Sequence, residues 1–296
     1  MKLTALHPRF GMEVHDIDLR SITRTQGYPA IRQAFEQHSL LLFRNQELND
    51  EHQLALGALF GPLENRSMSG ESPKTSSKVS NLAPDASLAH ENDLQTLNLK
   101  ANQLWHTDSI FLPVPALTNI LGARVLSSRD GETEFVSTRA AWIDLPVGIK
   151  ERVRNAIFRH SFAHSRRKLS KELAMQEQFT KWSEQAWKAL WRNPVNGEDA
   201  LYLASHTFAV EGLPPAEGEA LIDELIRFAT RPEMIYTHDW KLGDVLIWDE
   251  RATLHRGRPW PYHEERTLAS VCVSATISDG LNDLVPTKQT GLETIL

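Results

Sequence analysis

The segment Trp105-His106-Thr107-Asp108 constrains the fold of this chain more than any other. In extended backbone, side chains alternate faces, so His106 and Asp108, two apart, aim one imidazole and one carboxylate at the same point. Two polar residues on an exposed strand face give the same string, so the surrounding text decides what the pair means. His255, far downstream in Leu254-His255-Arg256-Gly257, is the candidate for a third donor.

Two histidines and one carboxylate, with the other positions open, form the ligand set of non-haem Fe(II) oxygenases. A structural zinc site is disfavoured, because such sites are mostly closed by Cys or His and no cysteine lies in these motifs. The text around the three residues is specific. Asn102-Gln103-Leu104 precedes Trp105, Asp130-Gly131-Glu132-Thr133-Glu134-Phe135 follows, and Gly243-Asp244-Val245-Leu246-Ile247-Trp248-Asp249 comes shortly before His255, with Arg266 after it. In this order and at these separations, from about Leu6 to about Val273, the chain resembles the Fe(II)/2-oxoglutarate dioxygenases of the taurine dioxygenase and chlorophenoxyacetate dioxygenase family. His7-Pro8, Asp16-Ile17-Asp18-Leu19-Arg20 and Val210-Glu211-Gly212-Leu213-Pro214 place it nearest the chlorophenoxyacetate side.

The resemblance implies that His106, Asp108 and His255 hold Fe(II), with 2-oxoglutarate and O2 as cosubstrates. Arg266 matches the arginine that anchors the far carboxylate of 2-oxoglutarate, a role suited to a planar guanidinium that meets a carboxylate as a fork. Thr133 matches a threonine whose hydroxyl helps hold that carboxylate. Arg251, Arg256 and Arg258 lie nearer His255 but off the motif position, and are read as surface charges. The implied reaction hydroxylates a substrate while 2-oxoglutarate becomes succinate and CO2. If the attacked carbon carries an ether oxygen, the product is a hemiacetal that collapses to a phenol and a keto or aldehyde acid.

Asn102 and His206 match substrate-side positions of the family. Many members carry a second arginine four residues after the anchor, where this chain has Ser270. Arg166, Arg167 or Lys100 could supply the missing charge, or the substrate could be less acidic. The expected substrate is a small aromatic organic acid of the aryloxyalkanoate kind. The alternatives are an alkyl sulfonate, a sulfate ester or an acylated amino acid. A catalytically silent metal-binding jelly roll is disfavoured, because a pure metal binder needs neither Thr133 nor Arg266.

With 296 residues, 41% of them hydrophobic, the chain has material for a sizeable core, and no linker or internal repeat divides it. One domain over 1–296 is expected. The net charge of −6 argues against a nucleic-acid surface, and Arg166-Arg167-Lys168 reads as a solvated run. The single cysteine, Cys272, fits a reducing cytoplasm, and no apolar run approaches the ~20 residues that span a bilayer.

Along the chain, strands are expected within 3–20, at 39–43, 118–126, 132–137 and 201–204, and between 233 and 274. Helices are expected at 29–38, after the cap Asn49, at 138–145 and 148–158, and after Pro214-Pro215. The irregular stretch 64–100, with a brief strand at 78–82, reads as a substrate lid. His160 to Ser165 reads as a strand. A helical insertion over 166–194 rests on the stripe Phe179, Trp182, Ala186 and Leu190 beside Trp187 and Trp191, which leaves room for a homo-oligomeric contact. Strands interleaved with insertions, with metal ligands on separate strands, suit a mostly β fold with inserted helices: a double-stranded β-helix, or cupin-like jelly roll.

Overall fold

The computed structural model describes residues 1–65, 73–83, 85–90 and 93–286. Its centre is a seven-stranded sheet in the order Lys2–Ala5, Met12–His15, Leu40–Phe43, Val245–Asp249, Ala116–Val125, Thr267–Ser274 and Ser77–Ser80. The Leu40–Phe43 and Val245–Asp249 strands are wholly buried. That explains why their sequences are continuous apolar runs rather than alternating ones.

Alternation persists in what each face touches. Leu40, Leu42, Leu121, Leu246 and Trp248 share a cluster with Phe135 of the second sheet. Their neighbours Leu41, Phe43, Ile120, Val245 and Ile247 pack with Ile31, Phe35, Leu56 and Phe60 of the helices Tyr28–His38 and Asp50–Phe60. Register locks the layers, since Ile247 pairs with both Leu41 and Ile120. A slip of one residue would exchange the two cores.

The second sheet has three antiparallel strands, with Thr133–Ser137 between Tyr236–His238 and Thr253–Gly257. The two sheets form the jelly roll, and the helices expected at 29–38, after Asn49, at 138–145 and after Pro214-Pro215 are present as Tyr28–His38, Asp50–Phe60, Thr138–Asp144 and Pro215–Ala229. No helix among the described residues is long and apolar enough to cross a membrane.

Three local expectations are overturned. The helix expected at 148–158 stops at Val153, and Ile157–His160 is a strand. The strand expected at 160–165 ends at His160, where Ser161 caps the helix Phe162–Arg167 by accepting from the His164 amide. The helical insertion at 166–194 dissolves after two short helices, Lys171–Ala174 and Glu177–Thr180, into the strands Gln185–Lys188 and Leu190–Arg192. The buried set there is Trp187, Ala189 and Trp191, each at most 1% exposed, which is a period of two. The indole Nε1 of Trp187 donates to the Ile110 carbonyl and that of Trp191 to the Asp279 carbonyl. Pairing with Ile157–His160 outweighs the helical propensity of the Ala, Leu and Lys residues there.

Candidate active site

His106 and His255 meet through the backbone. Each donates its amide to the other's carbonyl, at 2.9 and 2.8 Å, in an isolated antiparallel bridge along the Thr253–Gly257 edge of the second sheet. Extended backbone holds only as far as Thr107; Asp108 opens a turn, followed by Ser109 in the left-handed region at φ 58°. The side chains converge all the same. His106 Nε2 lies 3.9 Å from Asp108 Oδ1, and His255 Nε2 lies 3.9 Å from Asp108 Oδ2. One donor atom from each of the three lies within 4.8 Å of the others.

The donor set fits a divalent cation. His106 Nδ1 donates to the Leu104 carbonyl at 2.7 Å, and Nε2 is the ring nitrogen on the side of Asp108. Burial and the neighbouring His106 hold His255 neutral, with its pKa pushed down to about 3. Neutral imidazoles and a carboxylate are the forms that bind metal.

Sequence reasoning missed the groups that hold Asp108. Asn119 Nδ2 donates to Asp108 Oδ2 at 2.7 Å, and Ser270 Oγ donates to Asn119 Oδ1 at 2.9 Å. Ser270 thus braces the carboxylate through Asn119. Glu250 Oε2 accepts from the Thr107 hydroxyl at 2.6 Å and from the Asp108 amide at 2.9 Å. Complete burial, then the Asp108 charge, pushes the Glu250 carboxyl well above the usual carboxylate range. Its only sequence signal was an acidic residue directly after Trp248-Asp249.

Arg266 and Thr133 face the same cavity, of about 680 Å³, as the triad. Arg266 is 3% exposed, stacks 4.8 Å from the Trp260 ring, and donates from Nη2 to the Gly131 carbonyl at 2.5 Å. Burial lowers its pKa to about 10, so it stays charged at neutral pH. Asn81 Oδ1 accepts from the Arg266 amide, while Asn81 Nδ2 ties down the Tyr262 and Glu264 carbonyls. The Thr133 hydroxyl accepts from Trp240 Nε1 at 2.9 Å, so its own proton points elsewhere.

Asn102, His206 and Ser270 also line the cavity. His206 is buried with neither ring nitrogen hydrogen-bonded among the described residues, and burial holds its pKa well below the usual range. Its ring lies 6.5 Å from that of His106 and 5.0 Å from that of Phe111.

The arginines near His255 divide. Arg256 and Arg258 pair with Glu134. Arg251 contradicts its reading as a surface charge: it is 2% exposed, clamped between Asp249 at 2.8 Å and Glu36 at 2.5 Å. A buried guanidinium is tolerated there because two carboxylates match it.

Comparison with known proteins agrees with this geometry. Residues 2–272 match the family described as taurine catabolism dioxygenase TauD, TfdA. The chain is 34% identical over 269 residues (89% of this chain, 94% of the relative) to the alpha-ketoglutarate-dependent 2,4-dichlorophenoxyacetate dioxygenase of Cupriavidus pinatubonensis. It is 33% identical over 274 residues (90% and 92%) to the (S)-phenoxypropionate/alpha-ketoglutarate-dioxygenase of Sphingobium herbicidovorans. The crystal structure of AAD-2 in complex with Mn(II) and N-oxalylglycine superposes with a TM-score of 0.86 at 31% identity, covering 93% of this chain and 98% of that one. A jelly roll whose two histidines and aspartate converge beside a buried arginine, matched along nearly its whole length, belongs to the taurine catabolism dioxygenase TauD, TfdA family and is an Fe(II)- and 2-oxoglutarate-dependent dioxygenase.

Proposed function

We propose that this dioxygenase hydroxylates a small aromatic organic acid of the aryloxyalkanoate kind, as its relatives' names describe for them. The observation that carries this reading is the cavity. A metal-type triad, a buried arginine with a directed threonine hydroxyl, and an aromatic wall of Phe111 and Phe162 share one space. The two phenyl rings stack on each other at 3.7 Å and 11°, an aromatic lining of the kind an aryl group packs against.

His106, Asp108 and His255 hold the iron. Arg266 forks the far carboxylate of 2-oxoglutarate, and Thr133 donates to the same group. With Fe(II), 2-oxoglutarate and O2 bound, the site supplies oxidative decarboxylation to succinate and CO2 coupled to hydroxylation of a C–H bond. The chain's own contribution is positioning. Asn119 and Glu250 fix the Asp108 carboxylate and backbone, Trp260 and Asn81 fix Arg266, and Asn102 and His206 border the substrate space.

The chain acts as one domain. The described parts of the 64–100 stretch form a wall of the cavity through Pro73, Ser77, Asn98 and Leu99, which supports its reading as the substrate cover; residues 66–72, 84, 91 and 92 lie outside the described residues. The lone Cys272 supports a reducing compartment, the cytoplasm. Succinate formation with Fe(II), ascorbate and 2-oxoglutarate over a panel of phenoxyacetate, phenoxypropionate, taurine and an alkyl sulfate tests the reading. The phenoxy acids are expected to lead; preference for taurine refutes it.

A further inference from the structure

Thr133 can donate to the far carboxylate of 2-oxoglutarate only while its proton is turned into the cavity. A hydroxyl carries one proton and two lone pairs, and it rotates to suit its neighbours. Left to rotate, it must be ordered at each binding event, which costs affinity. Whatever settles the direction of that proton therefore tunes the cosubstrate site. The segment His238 to Asp244, whose Gly243-Asp244 pair has neither a metal nor a cosubstrate contact, supplies such a group.

Resting on the reading of Thr133 as a cosubstrate contact, we propose that Trp240 is a positioning residue for 2-oxoglutarate, its indole N–H holding the Thr133 hydroxyl so that the proton faces the far carboxylate. Thr133 pairs with His238 across the second sheet, which brings Trp240, two residues on, alongside it. Trp240 Nε1 donates to Thr133 Oγ1 at 2.9 Å. An indole N–H donates and never accepts, so this contact makes Thr133 the acceptor on that side and leaves its own proton for the other. Thr133 lines the cavity with Arg266, whereas Trp240, 8% exposed, is not among the described residues that line it. Trp240 thus acts on a ligand through Thr133.

Trp240 is itself held in place. Its ring meets the His238 ring edge to face, at 4.6 Å and 87°. His238 is fully buried, with Nδ1 3.1 Å from the Tyr236 hydroxyl and Nε2 3.2 Å from Asp244 Oδ2. Asp244 accepts from the Lys241 amide at 2.8 Å and from Arg44 at 2.5 Å, which closes the turn just after Trp240. The aspartate of Gly243-Asp244 therefore reaches the cosubstrate site through His238, Trp240 and Thr133 in turn, and the donor is rigid before any ligand arrives.

The test measures binding of 2-oxoglutarate and of 2-oxopentanoate, the same chain ending in a methyl group, to protein loaded with Mn(II). Trp240→Phe keeps a ring and removes the donor. It should weaken 2-oxoglutarate by roughly three- to tenfold, the scale of one net hydrogen bond, and leave 2-oxopentanoate within about twofold. Thr133→Val should show the same selectivity, and adding Trp240→Phe to it should weaken 2-oxoglutarate no further. Equal weakening of both acids would mean that Trp240 only shapes the site, and additive losses in the double variant would mean that it acts without Thr133. Either result, or unchanged 2-oxoglutarate binding in Trp240→Phe, overturns the proposal. If Trp240→Phe does not fold, the indole N–H resonances of nitrogen-15-labelled, Zn(II)-loaded protein decide. One of them should shift in Thr133→Val and, in the unmodified protein, shift with 2-oxoglutarate but not with 2-oxopentanoate; the absence of any such resonance is equally fatal. Failure of the Thr133 reading looks different, because Thr133→Val by itself then leaves 2-oxoglutarate binding unchanged and no route from Trp240 through Thr133 remains.

Discussion

Gly131 carries a backbone demand and a steric one, and they can be separated. Its φ is +83°, and a Cβ built there would sit 2.8 Å from Arg266 Nε and 3.1 Å from Arg266 Cδ. Ordinary contact begins near 3.4 Å, so in Gly131→Ala the arginine must retreat by roughly half an ångström or more. It has little room to do so, because Trp260 stacks on it and Asn81 holds its amide. The left-handed backbone costs alanine about 1–2 kcal/mol, and misaligning one charged hydrogen bond to the 2-oxoglutarate carboxylate costs about 1.5–3 kcal/mol more. At 1.4 kcal/mol per decade, the second term predicts a rise of roughly tenfold or more in the KM for 2-oxoglutarate. Gly212 supplies the control. Its φ is +81° with nothing within 4 Å, so Gly212→Ala carries the backbone strain without the clash. Both variants should lose a few degrees in thermal melting, about 2–4 °C per kcal/mol, while only Gly131→Ala loses cosubstrate affinity in steady-state succinate assays. If the two variants share one 2-oxoglutarate KM, Arg266 does not anchor the cosubstrate.

Other predictions follow from the same contacts. Asp108→Ala should abolish turnover and lower the iron content of the purified protein; full activity in that variant would sink the metal assignment. Glu250→Ala strands the Asp108 amide, worth about 1–3 kcal/mol, while the Thr107 hydroxyl keeps the Glu250 backbone carbonyl at 2.7 Å, and Glu250→Gln keeps an acceptor for the amide; melting curves should rank native, Gln, then Ala. His160 is fully buried with its pKa held down to about 3 by desolvation, below the ordinary 6.5 of the unfolded chain. The unfolded state therefore binds the extra proton, and this residue's contribution is complete above pH 6.5 and drains by up to roughly 1.4 kcal/mol per pH unit towards pH 3. His160→Asn should flatten that acid-side slope in denaturant titrations, and an unaltered slope would show that His160 does not set it. Catalytic efficiency should favour phenoxyacetate over taurine, because burying an aryl body contributes roughly 25 cal/mol per Å² without help from a charge at position 270.

How much of this was legible in the sequence depends on how local each signal is. The ligand types and the buried central strands could be read directly, and the resemblance pointed to Arg266, which the fold buries in the same cavity as the triad. A metal donor set is defined by residue chemistry, and a strand buried on both faces must be an unbroken apolar run whatever surrounds it. The long stretch around Trp187 and Trp191 misled, because its apolar residues satisfy a helical stripe and a two-residue alternation at once. Pairing of Gln185–Lys188 with Ile157–His160, and of Leu190–Arg192 with Asp199–Leu201, chose between them.

The supports of the site were decided only in three dimensions. Asn119 reaches Asp108 and Ser270 from the middle of the central sheet, and Glu250 reaches Thr107 from a distant strand end. Arg251 reads as one more surface charge until Glu36, brought from the first helix, closes on it. Arg166, Arg167 and Lys100 are equivalent cations in the text, and only the packing of the Phe162–Arg167 helix against the cavity turns one inward. The sequence alone determined which chemistry the chain carries, because that chemistry resides in residue types and in the order of the motifs around them. Which groups hold that chemistry in place was decided by the tertiary structure, because a side chain's partners come from whichever segments the sheets bring beside it.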